Sequence, residues 1–134
     1  MSTFIFEREE DFVRAGDFAA MIPRDIGSKE ALFERLARTL GFPDYFGKNW
    51  DALSDCLRDF HWREERRIVI AHAELPGLEA SDVKTYLEIL SNAVEDWRRS
   101  GDRDLIVVFP RDARRTVEDV LHGCGADERS SPAR

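Results

Sequence analysis

Apolar positions along this chain change their period several times, and each change marks an element. Leu32, Phe33, Leu36, Ala37 and Leu40 recur every three or four residues, the spacing of a helix that buries one stripe. Ser28 is placed to cap its start, and Gly41 with Pro43 beyond it to end it. A second stripe, Trp50, Leu53, Leu57 and Phe60, predicts another helix, with Asn49 as its N-cap. The third, Val83, Leu87, Leu90, Val94 and Trp97, predicts a longer helix capped by Ser81 and stopped at Ser100 and Gly101. Between them lie short apolar runs without that period: FAAMIP at 18–23, IVIAHA at 68–73 and LIVVF at 105–109. These read as strands, and IVIAHA as one buried on both faces. FIFE at 4–7 is either an edge strand or an N-terminal arm, and LPGL at 75–78 is a turn. Residues 111–122 suit a short last helix with Val117, Val120 and Leu121 inward.

The order strand, helix, helix, strand, helix, strand implies parallel pairing with right-handed crossovers. The expectation is an α/β fold: a small, mainly parallel sheet of about three strands packed with helices, with FIFE a candidate for a further edge. A single domain over residues 1–122 is expected, with its core at 18–109. The polar, Gly- and Ser-containing stretch 123–134 is expected to be a disordered tail.

The polar side of the second helix does not follow the usual mixture of charges. Asp51, Asp55 and Asp59 fall four residues apart, which stacks like charges on one face. At about 100° per residue that face lies opposite the Trp50, Leu53, Leu57 stripe. Each like pair costs a few tenths of a kcal/mol, and Asp59 near the helix C-terminus opposes the dipole by about 0.3–1 kcal/mol. Arg58 and Arg63 stand three and four residues after Asp55 and Asp59, so a solvated face with local pairing is one reading. A docking face for a cationic partner is another, because Tyr45 and Phe46 precede the helix in a loop held by Pro43 and Gly47. A metal or acid–base site is the third, although one exposed helix face spreads its carboxylates apart where such a site needs them to converge.

Composition narrows these readings. The chain has 134 residues, 43% hydrophobic and 35% charged, with a formal net charge of −7. An acidic balance argues against a nucleic-acid backbone as partner and suits a basic protein. No apolar run is long enough for a bilayer, and the acidic N-terminus is unlike a signal peptide. Cys56 and Cys124 are read as free thiols of a reducing cytoplasm, with Cys56 a small buried residue. His61, His72 and His122 show no metal-ligand spacing and are assigned no role. Trp50 and Trp97 are core, Trp62 is core or rim, and Arg63, Arg66 and Arg67 are a solvated approach to the second strand.

The stretch LGFPDYFGKNWDALSDCLRDF, residues 40–60, resembles the signature region of the barstar family of ribonuclease inhibitors. The element order over residues 18–109 agrees with that family's small parallel sheet. The resemblance implies an inhibitor that plugs a nuclease active site and does no chemistry of its own. By position, Asp55 would be the central acid that stands in for an RNA phosphate, and Asp51 the flanking acid. Tyr45 would pack near the enzyme's catalytic histidine, and Phe60 would be an aromatic at the helix end. Gly47 and Asn49 would shape the loop and cap the helix. Ser54 stands where the family has a tryptophan, Phe46 where it has a second tyrosine, and Asp59 where it has a small residue. A further acid from the later helix would be Glu95 or Asp96.

The partner implied is a cognate ribonuclease or other basic nuclease toxin, bound one to one in the cytoplasm by an immunity or antitoxin-like protein. No catalytic residue, cofactor, metal, direct nucleic-acid contact or membrane is implied. Two alternatives stay open: a binding module for a basic protein that is not a ribonuclease, and a metal-dependent acidic-site enzyme.

Overall fold

A computed structural model of the protein describes residues 4–7, 14–43, 47–60 and 62–121. Its elements are β1 (Ile5–Phe6), β2 (Phe18–Ile22), α1 (Lys29–Leu40), α2 (Trp50–Asp59), β3 (Arg67–His72), α3 (Ala80–Ser100), β4 (Asp104–Phe109) and α4 (Arg114–Leu121), the last preceded by a 3-10 turn over Arg111–Ala113. The four strands form one parallel sheet in the order β1-β4-β3-β2. FIFE therefore contributes a fourth, two-residue strand, pairing Ile5 with Val108 and Phe6 with Phe109.

β3 occupies the interior of the sheet, and all its residues from Ile68 to His72 are buried. Alternation sends Ile68 and Ile70 into the core made by the helices, together with Leu32, Leu36, Leu53, Leu57, Leu87 and Leu90. Val69 and Ala71 join Val108 in a small cluster on the other face, with Ile5 and Ile106 half-buried beside them. Parallel pairing with helical crossovers explains why the middle strand is apolar throughout.

The helix boundaries follow local chemistry. Ser28 Oγ accepts the Ala31 N–H at 3.1 Å, and α1 ends at Gly41, left-handed with φ 71. Ser81 does not cap α3: the helix begins at Ala80, two residues before a Ser81 cap would start it, and Glu79 at the cap position makes no side-chain hydrogen bond.

The basic cluster is not simply solvated. Register sets Phe18 opposite Ile68, which brings Asp17 beside Arg67 at the start of both strands. Arg67 Nε donates to Asp17 Oδ1 at 3.0 Å, and the two side chains are only 18% and 5% exposed. Burial opposes the Asp17 charge, yet the Arg67 guanidinium and the Arg14 N–H outweigh it and hold the carboxyl below its usual range. Arg63 pairs with Glu65 and lies over the Phe18 ring at 3.8 Å, while Arg66 donates to the Asp102 carbonyl.

His72 also departs from the sequence reading. Buried at the end of β3, it stacks on Phe109 with ring centroids 4.2 Å apart. Its Nδ1 lies 3.0 Å from the Val108 carbonyl and its Nε2 2.7 Å from the Tyr86 hydroxyl. A carbonyl can only accept, so Nδ1 carries the proton and Nε2 accepts from Tyr86. Burial lowers the His72 pKa to about 4 against a small opposing effect of the Val108 carbonyl, and raises that of Tyr86.

Candidate partner-binding face

α2 carries the candidate site, and its start is set by the residues before it. Asn49 Oδ1 accepts the Ala52 N–H at 2.8 Å, and the Asn49 side-chain amide reaches the Gly47 carbonyl at 3.4 Å. A Cβ at Gly47 would stand 3.2 Å from that amide, so a larger residue would press on the cap. Tyr45 and Phe46 lie outside the described residues.

The helix divides as its periodicity predicts. Leu53, Cys56 and Leu57 are buried, while Trp50 is half-buried with its ring 4.8 Å from that of Phe33. Asp51, Asp55 and Asp59 are all exposed on the opposite side, and Ser54 is half-buried. The column of carboxylates is thus a feature of the folded surface. Burial raises the Cys56 thiol pKa, and the neighbouring charges of Asp55 and Asp59 raise it further, so this thiol stays protonated and unreactive.

Two residues at the end of α2 have partners that bear on the site. Phe60 is 0% exposed, as its place on the apolar stripe predicts, its ring edge-on to those of Phe42 and Trp97 and tilted against that of Trp62. It therefore supports the face from behind, and the contact role that the resemblance implies for it would need the ring to be uncovered. Arg58 pairs with Asp96 of α3 at 3.6 Å, linking the two helices. Asp96 also meets Arg99 at 3.3 Å, and Glu95 meets Arg98 at 3.5 Å. Both later-helix acids therefore lie beside cations of their own chain, with Asp96 the one joined to α2.

Among the described residues, no group of three or more His, Cys, Asp or Glu side chains is placed to hold a metal ion. The acids of α2 lie four residues apart on the exposed side of the helix. What such a face can do is offer several carboxylates to the Arg, Lys and His side chains of a basic partner, in charge-assisted hydrogen bonds.

A parallel sheet with helical crossovers and one helix bearing three exposed acids is a small α/β fold of the kind the sequence leads one to expect. Residues 18–109, from the first residue of β2 to the last of β4, match the family described as Barstar (barnase inhibitor). A Bacillus subtilis (strain 168) protein named "Putative ribonuclease inhibitor YrdF" is 36% identical over 80 residues, which cover 56% of this chain and 82% of that protein. The chain belongs to the barstar family, whose members are inhibitor proteins and not enzymes. β1 and α4 fall outside the matched residues. Glu7, just after β1, pairs with Arg111 of the 3-10 turn at 2.7 Å, and Arg114 of α4 lies over the Phe6 ring of β1 at 5.5 Å.

Proposed function

We propose that this protein is an intracellular inhibitor of a basic ribonuclease, of the immunity or antitoxin kind, and that it works by laying the outer face of α2 over the enzyme's active site. The observation that carries this reading is the exposure of Asp51, Asp55 and Asp59 on one face of a helix whose opposite face is core. A ribonuclease site is rich in cations because it must bind and stabilise phosphate. Carboxylates held at fixed spacing on a helix meet those cations as a substrate's phosphates would, and at little cost in ordering. Asp55, in the middle of the column, is the central acid and Asp51 its flank. Tyr45, Phe46 and Ser54 supply the contact area beside them, Gly47 and Asn49 fix the approach, and Asp59 extends the ridge. The complex is one to one and forms in the cytoplasm of the cell that makes the nuclease.

Family membership and the relative's name support the ribonuclease as target class. The acidic surface also accelerates encounter with a basic enzyme, and added salt weakens that acceleration. Inhibition of barnase and of basic ribonucleases encoded beside this protein's gene tests the reading. Asp55→Ala is expected to weaken inhibition by about 100-fold or more while thermal stability stays within about 0.5 kcal/mol of the parent. Undiminished inhibition by the folded variant would overturn it.

A further inference from the structure

The end of α2 is an unfavourable place for what it carries. Asp59 stands in the last turn, where the helix dipole disfavours an anion. The chain then leaves through Phe60 in a left-handed conformation, φ 49, which residues bearing a side chain adopt at a cost. Helix ends of this kind fray unless their free carbonyls find donors. Here the Phe60 carbonyl accepts the Arg63 N–H at 3.1 Å and a hydrogen bond from a side chain outside the helix, which also holds two carbonyls of the segment that follows. Arg103 donates from Nη1 to the Phe60 carbonyl at 3.1 Å, from Nη2 to that of Arg63 at 2.7 Å, and from Nε to that of Glu65 at 3.1 Å.

Neighbouring contacts hold this side chain and the helix end in place. The Arg103 guanidinium lies 5.0 Å from the centroid of the Trp97 ring, and Trp97 Nε1 donates to the Leu57 carbonyl at 2.9 Å. Behind it, the Asp104 N–H meets the Arg66 carbonyl at 2.8 Å, and Arg66 returns to the Asp102 carbonyl at 3.0 Å. Four carbonyls between residues 57 and 65 are thus held by two side chains, one from α3 and one from the turn before β4. Three separate acceptors around one planar group require the forked donors of arginine. A lysine ammonium is a point donor on a flexible stem and cannot reproduce that pattern.

We propose that Arg103 is a positioning residue for the acidic face. It fixes the exit of α2 so that the last turn, with Asp59, and Asp55 one turn before it are held in place before a partner arrives. Its positive charge at the Phe60 carbonyl also offsets the dipole that Asp59 opposes. The functional half of this inference rests on the reading of α2 as a docking face; the structural half does not.

Hydrogen exchange on the full chain tests the structural half. In Arg103→Lys, which keeps the charge and loses the fork, the Phe60 and Arg63 N–H groups are expected to exchange about tenfold faster or more. Those of Leu36 in α1 and Ile70 in β3 are expected to stay within about twofold of the parent. Equal acceleration at all four sites would make Arg103 a general stabiliser, and no acceleration at Phe60 and Arg63 would detach it from the helix exit. Either result overturns the proposal. Arg103→Ala provides a stronger version, and should it fail to fold, the Lys variant decides. Barnase is the probe for the functional half. Arg103→Lys is expected to bind it about tenfold more weakly, through faster dissociation. Equal binding would overturn the positioning role. A parent chain that does not bind barnase would count against the docking reading for that nuclease, and the exchange data would still decide whether Arg103 holds the helix exit.

Discussion

The two sides of α2 do opposite work on the same ten residues. Inward, Leu53, Cys56 and Leu57, with Phe60 just beyond, are closed in by α1, α3 and the aromatic cluster of Phe42, Trp62 and Trp97. Outward, Asp51, Asp55 and Asp59 are exposed along one line of the helix. The difference shows how a small protein separates stability from recognition: packing holds the helix rigid, so its outer residues are free to be chosen for a partner. A substitution on either side therefore changes one property and leaves the other nearly alone.

The largest expected effect tests the inner side. Phe60→Ala should destabilise the protein by about 3–5 kcal/mol, the usual cost of emptying an aromatic site in a core. Urea denaturation measures it, and a loss below about 1 kcal/mol would mean that Phe60 behaves as a surface residue after all.

Next comes acid, which reaches the interior away from α2. In the fold His72 is held neutral, its pKa lowered to about 4 by burial, whereas the unfolded chain takes up a proton near 6.5. Its contribution is therefore complete above about pH 6.5 and is lost as pH falls toward 4. By linkage that amounts to about 3 kcal/mol. Asp17, whose carboxyl is held below its usual range, loses its contribution at still lower pH. Unfolding midpoints at pH 7.5 and 4.5 should differ accordingly, and NMR should show a His72 ring still neutral at pH 5. A stability flat across that range would contradict the buried, neutral pairing with Tyr86.

Asn49→Ala probes the boundary between the two sides. Losing the bond to the Ala52 N–H should cost about 1 kcal/mol, read from the thermal midpoint. It should also weaken partner binding, because the cap orients the turn that carries Asp51. The smallest effect on stability belongs to the outer side. Asp51→Asn should change folding free energy by less than about 0.5 kcal/mol while slowing association with a basic partner at low salt. Should it stabilise or destabilise strongly, the two sides of α2 are not independent.

How much of this was legible beforehand depends on the reach of each interaction. The stripe Trp50, Leu53, Leu57 and the cap Asn49 act within one or two helical turns, so the sequence shows α2, its start and its exposed acids directly. The parallel sheet also followed from the order of apolar runs. FIFE stayed ambiguous because two residues carry too little pattern to tell an edge strand from an arm. Ser81 misled because Ser is a common cap, but a helix can begin two residues earlier when its stripe packs well. Phe60 was placed correctly by its helical spacing, on the buried stripe, whereas the contact role came only from the resemblance; the rings of Phe42, Trp62 and Trp97 that close over it could not be read from spacing.

By itself, then, the sequence determined the periodic elements, their order, and the column of carboxylates on the outer side of one helix. All of these follow from side-chain spacing along a regular backbone. Only the tertiary structure decided that Arg67 meets Asp17, that His72 is shared by Val108 and Tyr86, that Arg58 reaches Asp96, and that Arg103 holds the exit of α2. These contacts join residues 14 to 50 positions apart. Strand register and helix packing set them, and no local window of the chain contains both partners.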